Sequence, residues 1–162
     1  LENFRKRNYF AHNREWPYKN VKPRIIAEQF MEDNTTKDLR DYKIFTFNGK
    51  AKLLYVATER QNESTETRFD FFDTNFNHLD FYNSHPNSDV TPSKPQNFEK
   101  MLELAEKLSK GIPHLRVDFY DVNGKVYFGE LTFSHMSGLM PFKPHEWDEK
   151  LGSWIELPEK TR

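Results

Sequence analysis

The sequence predicts an α+β fold in which helices pack on an antiparallel β-sheet. Two runs rich in β-branched and aromatic residues each surround an Asn-Gly pair, at 48–49 and at 123–124, which is typical of a β-hairpin. Between these hairpins, residues 96–110 carry apolar side chains at helical spacing. Strands on both sides of one strong helix favour an antiparallel sheet over repeated βαβ units.

The first 60 residues predict one weak helix, an isolated strand and the first hairpin. The isolated strand combines Ile25, Ile26 and Phe30 with a polar turn directly after it. The expected elements are, in order, the tail of a helix at 1–10, a turn or loop at 14–18, a strand at 24–31, a polar turn at 32–36, and hairpin strands at 41–47 and 50–59.

The rest of the chain predicts the main helix and the second hairpin. Pro95 stands before the helix and Gly111 can cap its end. Trp147 and Trp154 are expected to pack back onto the domain. The expected elements are short strands at 68–73 and 78–83, a loop at 84–95, the helix at 96–110, the hairpin at 116–132, a turn at 134–138 and a short helix at 144–151.

Composition bounds the class of protein. A chain of 162 residues is one domain or part of one, and its 15 Phe, 7 Tyr and 3 Trp can build a core. The net charge of −1 gives no electrostatic case for binding nucleic acid. The absence of Cys excludes a disulfide framework and agrees with a cytoplasmic location. No apolar run approaches the roughly 20 residues of a membrane span. Because the chain begins without Met, we expect a fragment of a longer protein.

The most informative feature is a pair of acidic residues on the second hairpin, Asp118 and Glu130. A carboxylate in a sheet interior is costly without a partner, and two neighbouring ones repel each other. A hard cation such as Mg²⁺, bound by carboxylates and substrate phosphates, would resolve both problems. The alternative is an exposed polar face of an ordinary hairpin, which the sequence leaves equally open.

The register of this hairpin decides whether the two acids can meet. With a two-residue loop at 123–124, Asp118 opposes Gly129, and Glu130 points to the other face. With a three-residue loop and a bulge at Gly124, Glu130 lies opposite Arg116 and about 7 Å or less from Asp118. The metal-site hypothesis requires the second register.

Other polar residues suggest further contacts. Glu28 and Phe30 alternate onto one face and could hold the amino edge of an adenine, although a solvent-exposed edge strand explains them as well. Lys43, Arg60 and Arg116 suit three anionic oxygens, and solvated strand ends are an equal alternative.

Of the six His residues, only His135 lies where an acid–base or ligand role is conceivable. It follows Glu130 in a Gly/Ser turn. A structural role explains His135 as well, and the other His residues lack the spacing of a metal site.

The order of these short motifs resembles the second half of an ATP-grasp domain, and more specifically the TupA-like branch. That branch is associated with teichuronopeptide and other polysaccharide or cell-wall polymer biosynthesis. The resemblance spans roughly residues 14–158. The residues that carry it are Arg14 to Tyr18, Lys22 to Phe30, Asp41 to Phe45, Arg60, Arg116 to Asp118, Gly129 to Thr132, and Trp147 to Pro158.

The resemblance implies a role for each position. ATP and Mg²⁺ would be the cofactors, and a carboxylate and an amine of a cell-surface polymer or its precursor would be the substrates. The implied roles are an adenine hinge at Glu28 and Phe30, the ribose side at Asp41, phosphate or acyl-phosphate contacts at Lys43, Arg60 and Arg116, and Mg²⁺ ligands at Asp118 and Glu130, with Thr132 where the family often has Asn.

The resemblance also implies a division of the chain. Residues 1–22 would be the remnant of a preceding lobe, and 23–162 would be the C-terminal lobe. A first lobe with a phosphate-binding Lys and a mobile Gly-rich loop is expected in the family, and nothing before Glu28 supplies them. We therefore expect the chain by itself to be inactive.

Two other classes of function remain open. One is a glycosyltransferase-type enzyme of polymer synthesis that binds a sugar nucleotide through the same acidic pair. The other is a non-catalytic, aromatic-rich module that binds a glycan or a partner protein. The sequence does not indicate an oligomeric state.

Overall fold

The computed structural model describes residues 3, 6–35, 39–60 and 66–159. Short 3-10 turns lie at Trp16–Tyr18 and His135–Gly138. None of the described helices combines the length and the apolar character needed to cross a bilayer. The elements are helices α1 (Tyr9–Asn13), α2 (Phe98–Leu108) and α3 (Glu146–Ser153), and strands β1 (Asp41–Phe47), β2 (Lys50–Thr58), β3 (Arg68–Asp73), β4 (His78–Leu79), β5 (Tyr82–Asn83), β6 (His114–Val122), β7 (Lys125–Thr132) and β8 (Phe142–Lys143).

Six strands form one antiparallel sheet in the order β4-β3-β2-β1-β6-β7, and β5 pairs with β8 apart from it. The α+β class and the antiparallel sheet are therefore confirmed. The single strand predicted at 78–83 is wrong, because the chain leaves the main sheet at Asp80 and Phe81 and its two halves pair with different strands. Strand β1 is central, so polar residues on it are buried unless the sheet provides partners.

Both Asn-Gly pairs form two-residue hairpin loops. The φ angles of Asn48 and Gly49 are 51° and 76°, and those of Asn123 and Gly124 are 52° and 75°. Positive φ at both central residues is the requirement of a type I′ turn, and Asn-Gly meets it at low cost. Val122 pairs directly with Lys125. The three-residue loop that the metal-site hypothesis requires is therefore wrong.

A bulge further along the hairpin nevertheless brings the two acids to one face. Phe119 pairs with Phe128, but Val117 pairs with Leu131, so Gly129 and Glu130 together lie opposite the single residue Asp118. A Cβ atom at Gly129 would lie 3.0 Å from the Asp118 carbonyl oxygen, which explains why glycine suits this position. The extra residue shifts the alternation of β7 by one and turns Glu130 toward the face of Asp118.

Helix α2 packs on one face of the sheet, with Phe98, Met101 and Ala105 buried. It begins after Asn97, whose backbone N–H and side-chain amide both donate to the Asp121 carboxylate at 2.9 and 2.8 Å. The helix predicted at 96–110 is therefore confirmed, with the observed bounds Phe98–Leu108. The sheet residues of its core are Tyr42, Ile44, Leu54, Val56, Phe72, Leu115, Val117 and Phe119.

Aromatic residues and α3 cover the opposite face. Trp147 stacks on Phe81 with ring centroids 4.0 Å apart, and Trp154 meets Phe47 edge-on at 5.2 Å, so the predicted packing of both tryptophans is confirmed. The buried residues here are Phe45, Phe47, Leu53, Tyr55, Ala57, Phe69, Phe71, Phe81 and Leu151. The charged residues of the site lie on this same face.

The strand predicted at 24–31 is wrong. The segment has no regular secondary structure, and no described strand pairs with it. Ile26 and Phe30 are 76% and 78% exposed. Strand propensity reflects packing on a sheet, so without a neighbouring strand it does not produce one. The predicted helix at 1–10 lies partly outside the described residues, and the helix that follows, α1, spans Tyr9–Asn13.

Candidate functional site

The central strand contributes two charged residues to a buried ionic cluster. Lys43 and Asp118 are direct cross-strand partners on β1 and β6, and their side chains form an ion pair. The Lys43 ammonium also lies 2.7 Å from Asp41 Oδ2, and that oxygen accepts a hydrogen bond from Arg60 Nη1. Alternation along β1 places Asp41 and Lys43 on the same face, as the sequence predicts.

Arg116 is the centre of the cluster. Its Nε and Nη2 atoms donate to the two oxygens of Asp118, each at 2.8 Å, in a bidentate pair. Nη2 also donates to Glu130 Oε1 at 2.6 Å and to Thr132 Oγ1 at 2.8 Å. Nη1 donates to His135 Nδ1 at 2.8 Å. All three nitrogens of the guanidinium group therefore have a partner.

The cluster is balanced in charge. Three carboxylates face three cations, and four of these six side chains belong to residues that are 7% exposed or less: Asp41, Lys43, Arg116 and Asp118. Glu130 and Arg60 form the outer edge, with side chains 59% and 45% exposed. Burial of charges at this depth is tolerated because each has opposite charges and hydrogen bonds next to it.

The pKa values respond to burial and to these pairs. Burial raises the pKa of Asp118 above its usual value, and the hydrogen bonds and charge of Arg116, with Lys43, act against that rise. Burial also acts to raise the pKa of Glu130, but the charges of Lys43 and Arg116 outweigh it and lower that pKa. Burial opposes the charge of Arg116, yet its hydrogen bonds to Asp118 keep its pKa above the usual value.

His135 is a buried neutral imidazole. Desolvation and the nearby charge of Arg116 lower its pKa from 6.5 to about 3. It accepts from Arg116 and its Nε2 contacts Asn83 Oδ1 at 3.0 Å. A group that stays neutral throughout the physiological range is a poor acid–base catalyst there, so the structure favours the structural role over the acid–base role.

A surface pocket of about 670 Å³ opens beside the outer edge of the cluster. The N-terminal segment forms one wall, and Arg116, Glu130 and Thr132 lie on the other. Tyr18 holds the segment in place, because its hydroxyl accepts from the Phe133 N–H at 3.0 Å. The wall residues from the N-terminal segment are Arg7, Tyr9, His12, Tyr18, Val21 and Pro23.

The predicted metal ligands converge on one atom. Asp118, Glu130 and Thr132 each place an oxygen within 2.8 Å of Arg116 Nη2. Carboxylate and hydroxyl oxygens suit a hard cation, so the donor types fit Mg²⁺. The point on which they converge is taken by the guanidinium group, and no cluster of three or more acidic or His side chains with metal-site geometry occurs within the described residues.

Glu28 and Phe30 lie apart from this cluster. With Met31 and Glu32 they run beside the edge strand β7 and line a second pocket, of about 350 Å³, with Tyr127 and Phe128. Of the nine site residues that the sequence singles out, the structure brings seven together and leaves these two at another place. The seven are Asp41, Lys43, Arg60, Arg116, Asp118, Glu130 and Thr132.

Sequence reasoning missed Asn83, which is fully buried and contacts His135 from 52 positions away. It also missed Glu15, which is 6% exposed and accepts from Ser137 Oγ at 2.9 Å. Asn83 stands in no local motif, and Glu15, although it lies in the segment 14–18 that carries the family resemblance, has no neighbouring residue pattern that predicts its burial. In the sequence, a buried Glu looks the same as a Glu exposed to solvent.

A mixed sheet-and-helix fold that gathers carboxylates, cations and a hydroxyl on one strand face agrees with the ATP-grasp class. Residues 1–156 match the family model of the TupA-like ATPgrasp proteins, and the chain belongs to that family. ATP-grasp proteins generally bind ATP with Mg²⁺, and the match indicates an ATP-dependent, ligase-type domain. Comparisons with curated proteins and with solved structures gave no significant match.

Proposed function

We propose that residues 23–162 form the C-terminal lobe of an ATP-grasp domain, and that 1–22 are the end of the preceding lobe. In this proposal the protein acts in the cytoplasm and joins a carboxylate to an amine, with Mg-ATP, in the synthesis of a cell-wall or extracellular polymer. The observation that carries it is the ionic cluster, in which seven residues predicted from sequence share one face beside an open pocket.

The proposed reaction has two steps. A carboxylate oxygen of the acid substrate attacks the γ-phosphorus of ATP, ADP leaves, and an acyl phosphate forms. The amine then attacks the acyl carbon, inorganic phosphate leaves, and the amine loses a proton as the amide forms. Such chemistry depends on positioning and on neutralisation of phosphate charge more than on a protein nucleophile.

The exposed and the buried residues of the cluster have different roles in this proposal. Arg60 is the most exposed cation of the cluster and is well placed to meet a phosphate. Lys43 and Arg116 are buried and hold the carboxylates in place. Asp118, Glu130 and Thr132 would hold Mg²⁺, which neutralises the phosphate charge when it is bound.

The two pockets support separate places for nucleotide and acid. The pocket beside Glu130 and Thr132 borders the proposed phosphate end and would receive the acid substrate. The pocket beside Glu28 and Phe30 would receive adenine, with Tyr127 and Phe128 as its aromatic wall. Tyr127 and Phe128 are 40% and 54% exposed, so their rings are open to contact by a planar base.

The test is a calorimetric titration of Mg-ATP into this chain and into the longest protein that contains it. Asp118→Asn should abolish Mg-dependent nucleotide binding, because it removes one carboxylate of the proposed metal site. The matched control is Asp89→Asn, at an exposed position in the loop before α2, which should bind like the unaltered protein. Circular dichroism of each variant confirms that it is folded.

Three outcomes would contradict the proposal. Unchanged Mg-ATP binding by folded Asp118→Asn would show that Asp118 is not a ligand of the metal ion. Binding of UDP-sugars in preference to ATP would favour the glycosyltransferase class. Binding of polymer that survives EDTA and ignores nucleotide would favour the glycan-binding module.

A further inference from the structure

Two partners of the Arg116 guanidinium carry no charge, Thr132 on Nη2 and His135 on Nη1. Its Nε and Nη2 atoms face the carboxylates and Thr132, whereas Nη1 donates to His135 Nδ1 at 2.8 Å. A guanidinium bound only on its carboxylate side could still tilt about the Asp118 oxygens. The contact to His135 on Nη1 adds a third point and therefore defines the plane and the rotation of the group.

Asn83 decides which nitrogen of His135 accepts. The Asn83 side-chain amide N–H group donates to the carbonyl oxygens of Met140 and Pro141, both at 3.0 Å, so its oxygen is the atom that faces His135. A carbonyl oxygen only accepts, which requires the proton of His135 to be on Nε2. Nδ1 then carries the lone pair and can accept from Arg116.

The surroundings keep this arrangement dry. His135 is 8% exposed, and Asn83 is fully buried. The imidazole lies among the rings of Phe45, Tyr55 and Phe142, with centroids 5.0, 5.6 and 5.9 Å away. Buried hydrogen bonds without competing water are the ones that orient a side chain most firmly.

We propose that His135, oriented by Asn83, is a positioning residue that holds the Arg116 guanidinium on Asp118, Glu130 and Thr132. Arg116 is then the resident cation of the carboxylate pair, and a divalent ion competes with it for the same oxygens. The positioning role of His135 is argued from the hydrogen bonds alone, whereas the competition between Arg116 and a divalent ion rests on the proposed function. A ring that served only to fill the core would need neither its donor nor its acceptor.

The test compares His135→Gln with His135→Leu. Gln keeps one donor for Asn83 and one acceptor for Arg116, whereas Leu keeps apolar bulk and removes both. The readout is the exchange rate of the Arg116 Nε–H proton with water, measured by NMR near pH 6.5. We expect at least tenfold faster exchange in His135→Leu and a rate near that of the unaltered protein in His135→Gln, because a hydrogen bond to a charged group is lost only in the first.

A second measurement needs no variant and holds if His135→Leu does not fold. Nitrogen-15 NMR of the unaltered protein near pH 7 should show His135 with its proton on Nε2 and with Nδ1 unprotonated. A proton on Nδ1, or equal Arg116 exchange in both folded variants, would overturn the proposal.

Mn²⁺ added without nucleotide, and followed by electron paramagnetic resonance, tests the competition. We expect several-fold tighter Mn²⁺ binding in His135→Leu than in His135→Gln, because Arg116 is held less firmly. Equal or weaker binding would overturn the competition. Failure of the protein to bind Mg-ATP would overturn the proposed function, while the exchange rates of Arg116 would still decide the role of His135.

Discussion

The neutral His135 makes a quantitative prediction about stability in mild acid. In the unfolded chain its pKa is 6.5, and in the folded protein burial and the charge of Arg116 lower it to about 3. Between these values the unfolded state binds more protons than the folded state. The free energy of unfolding therefore falls as the pH is lowered through this window and is restored above pH 6.5.

Three basic residues near His135 act in this direction. Arg116 and His114 approach from β6, and Lys43 from β1, and each disfavours a positive imidazole. The two pKa values give a loss of about 2 kcal/mol between pH 7.5 and pH 5.0 for His135 alone. Burial also lowers the pKa of His114, which adds a loss of the same sign to the whole protein.

The assay is urea denaturation at pH 7.5 and pH 5.0, followed by tryptophan fluorescence. His135→Gln removes the titrating group and keeps its donor and acceptor, so its loss of stability on acidification should be smaller than that of the unaltered protein by about 2 kcal/mol. The matched control is His145→Gln, with a side chain that is 78% exposed, which should lose as much as the unaltered protein. Equal losses in all three proteins would refute a buried neutral His135.

Three further substitutions test the fold around the site, each by urea denaturation. Gly129→Ala should cost about 1–3 kcal/mol because its Cβ would press on the Asp118 backbone, whereas Gly152→Ala meets nothing within 4 Å and should cost nothing; equal effects would argue against the bulge. Phe98→Ala should cost about 3–5 kcal/mol by opening a cavity under α2, and Glu103→Ala on the exposed side of that helix under 0.5 kcal/mol. Tyr18→Phe should lower the free energy of unfolding by about 1 kcal/mol, because it removes the oxygen that accepts from the Phe133 N–H, and Tyr82→Phe at an exposed position should lower it much less. Equal effects of the two substitutions would argue against this hydrogen bond between Tyr18 and the end of β7.

Local sequence signals predicted the local structure. The two Asn-Gly turns depend on residues that tolerate positive φ, and the helix over Phe98–Leu108 depends on apolar spacing within eleven residues. The strand at 24–31 failed because a strand also needs a neighbour, which its own residues do not supply. Prediction succeeded where the cause lies within a few residues of the effect.

The hairpin of β6 and β7 shows the same limit at the site. The spacing of Asp118 and Glu130 predicted that the two acids belong to the site. The register predicted to place them on one face, however, put the bulge in the turn, at Gly124. The structure places it at Gly129, where the chain meets the backbone of Asp118 on the neighbouring strand. A bulge depends on the fit between two strands, and the sequence of either strand alone does not contain it.

The sequence by itself determined the α+β class, the two hairpins, the main helix, the TupA-like ATP-grasp family and a set of charged residues for one face of the sheet. Only the tertiary structure decided how these charges pair: Lys43 with Asp41 and Asp118, and Arg116 with both acids of the hairpin and with His135. The reason is physical. Turns and helices follow from torsional preferences and periodicity along the chain, whereas a buried charge takes its partners from whichever strands pack beside it.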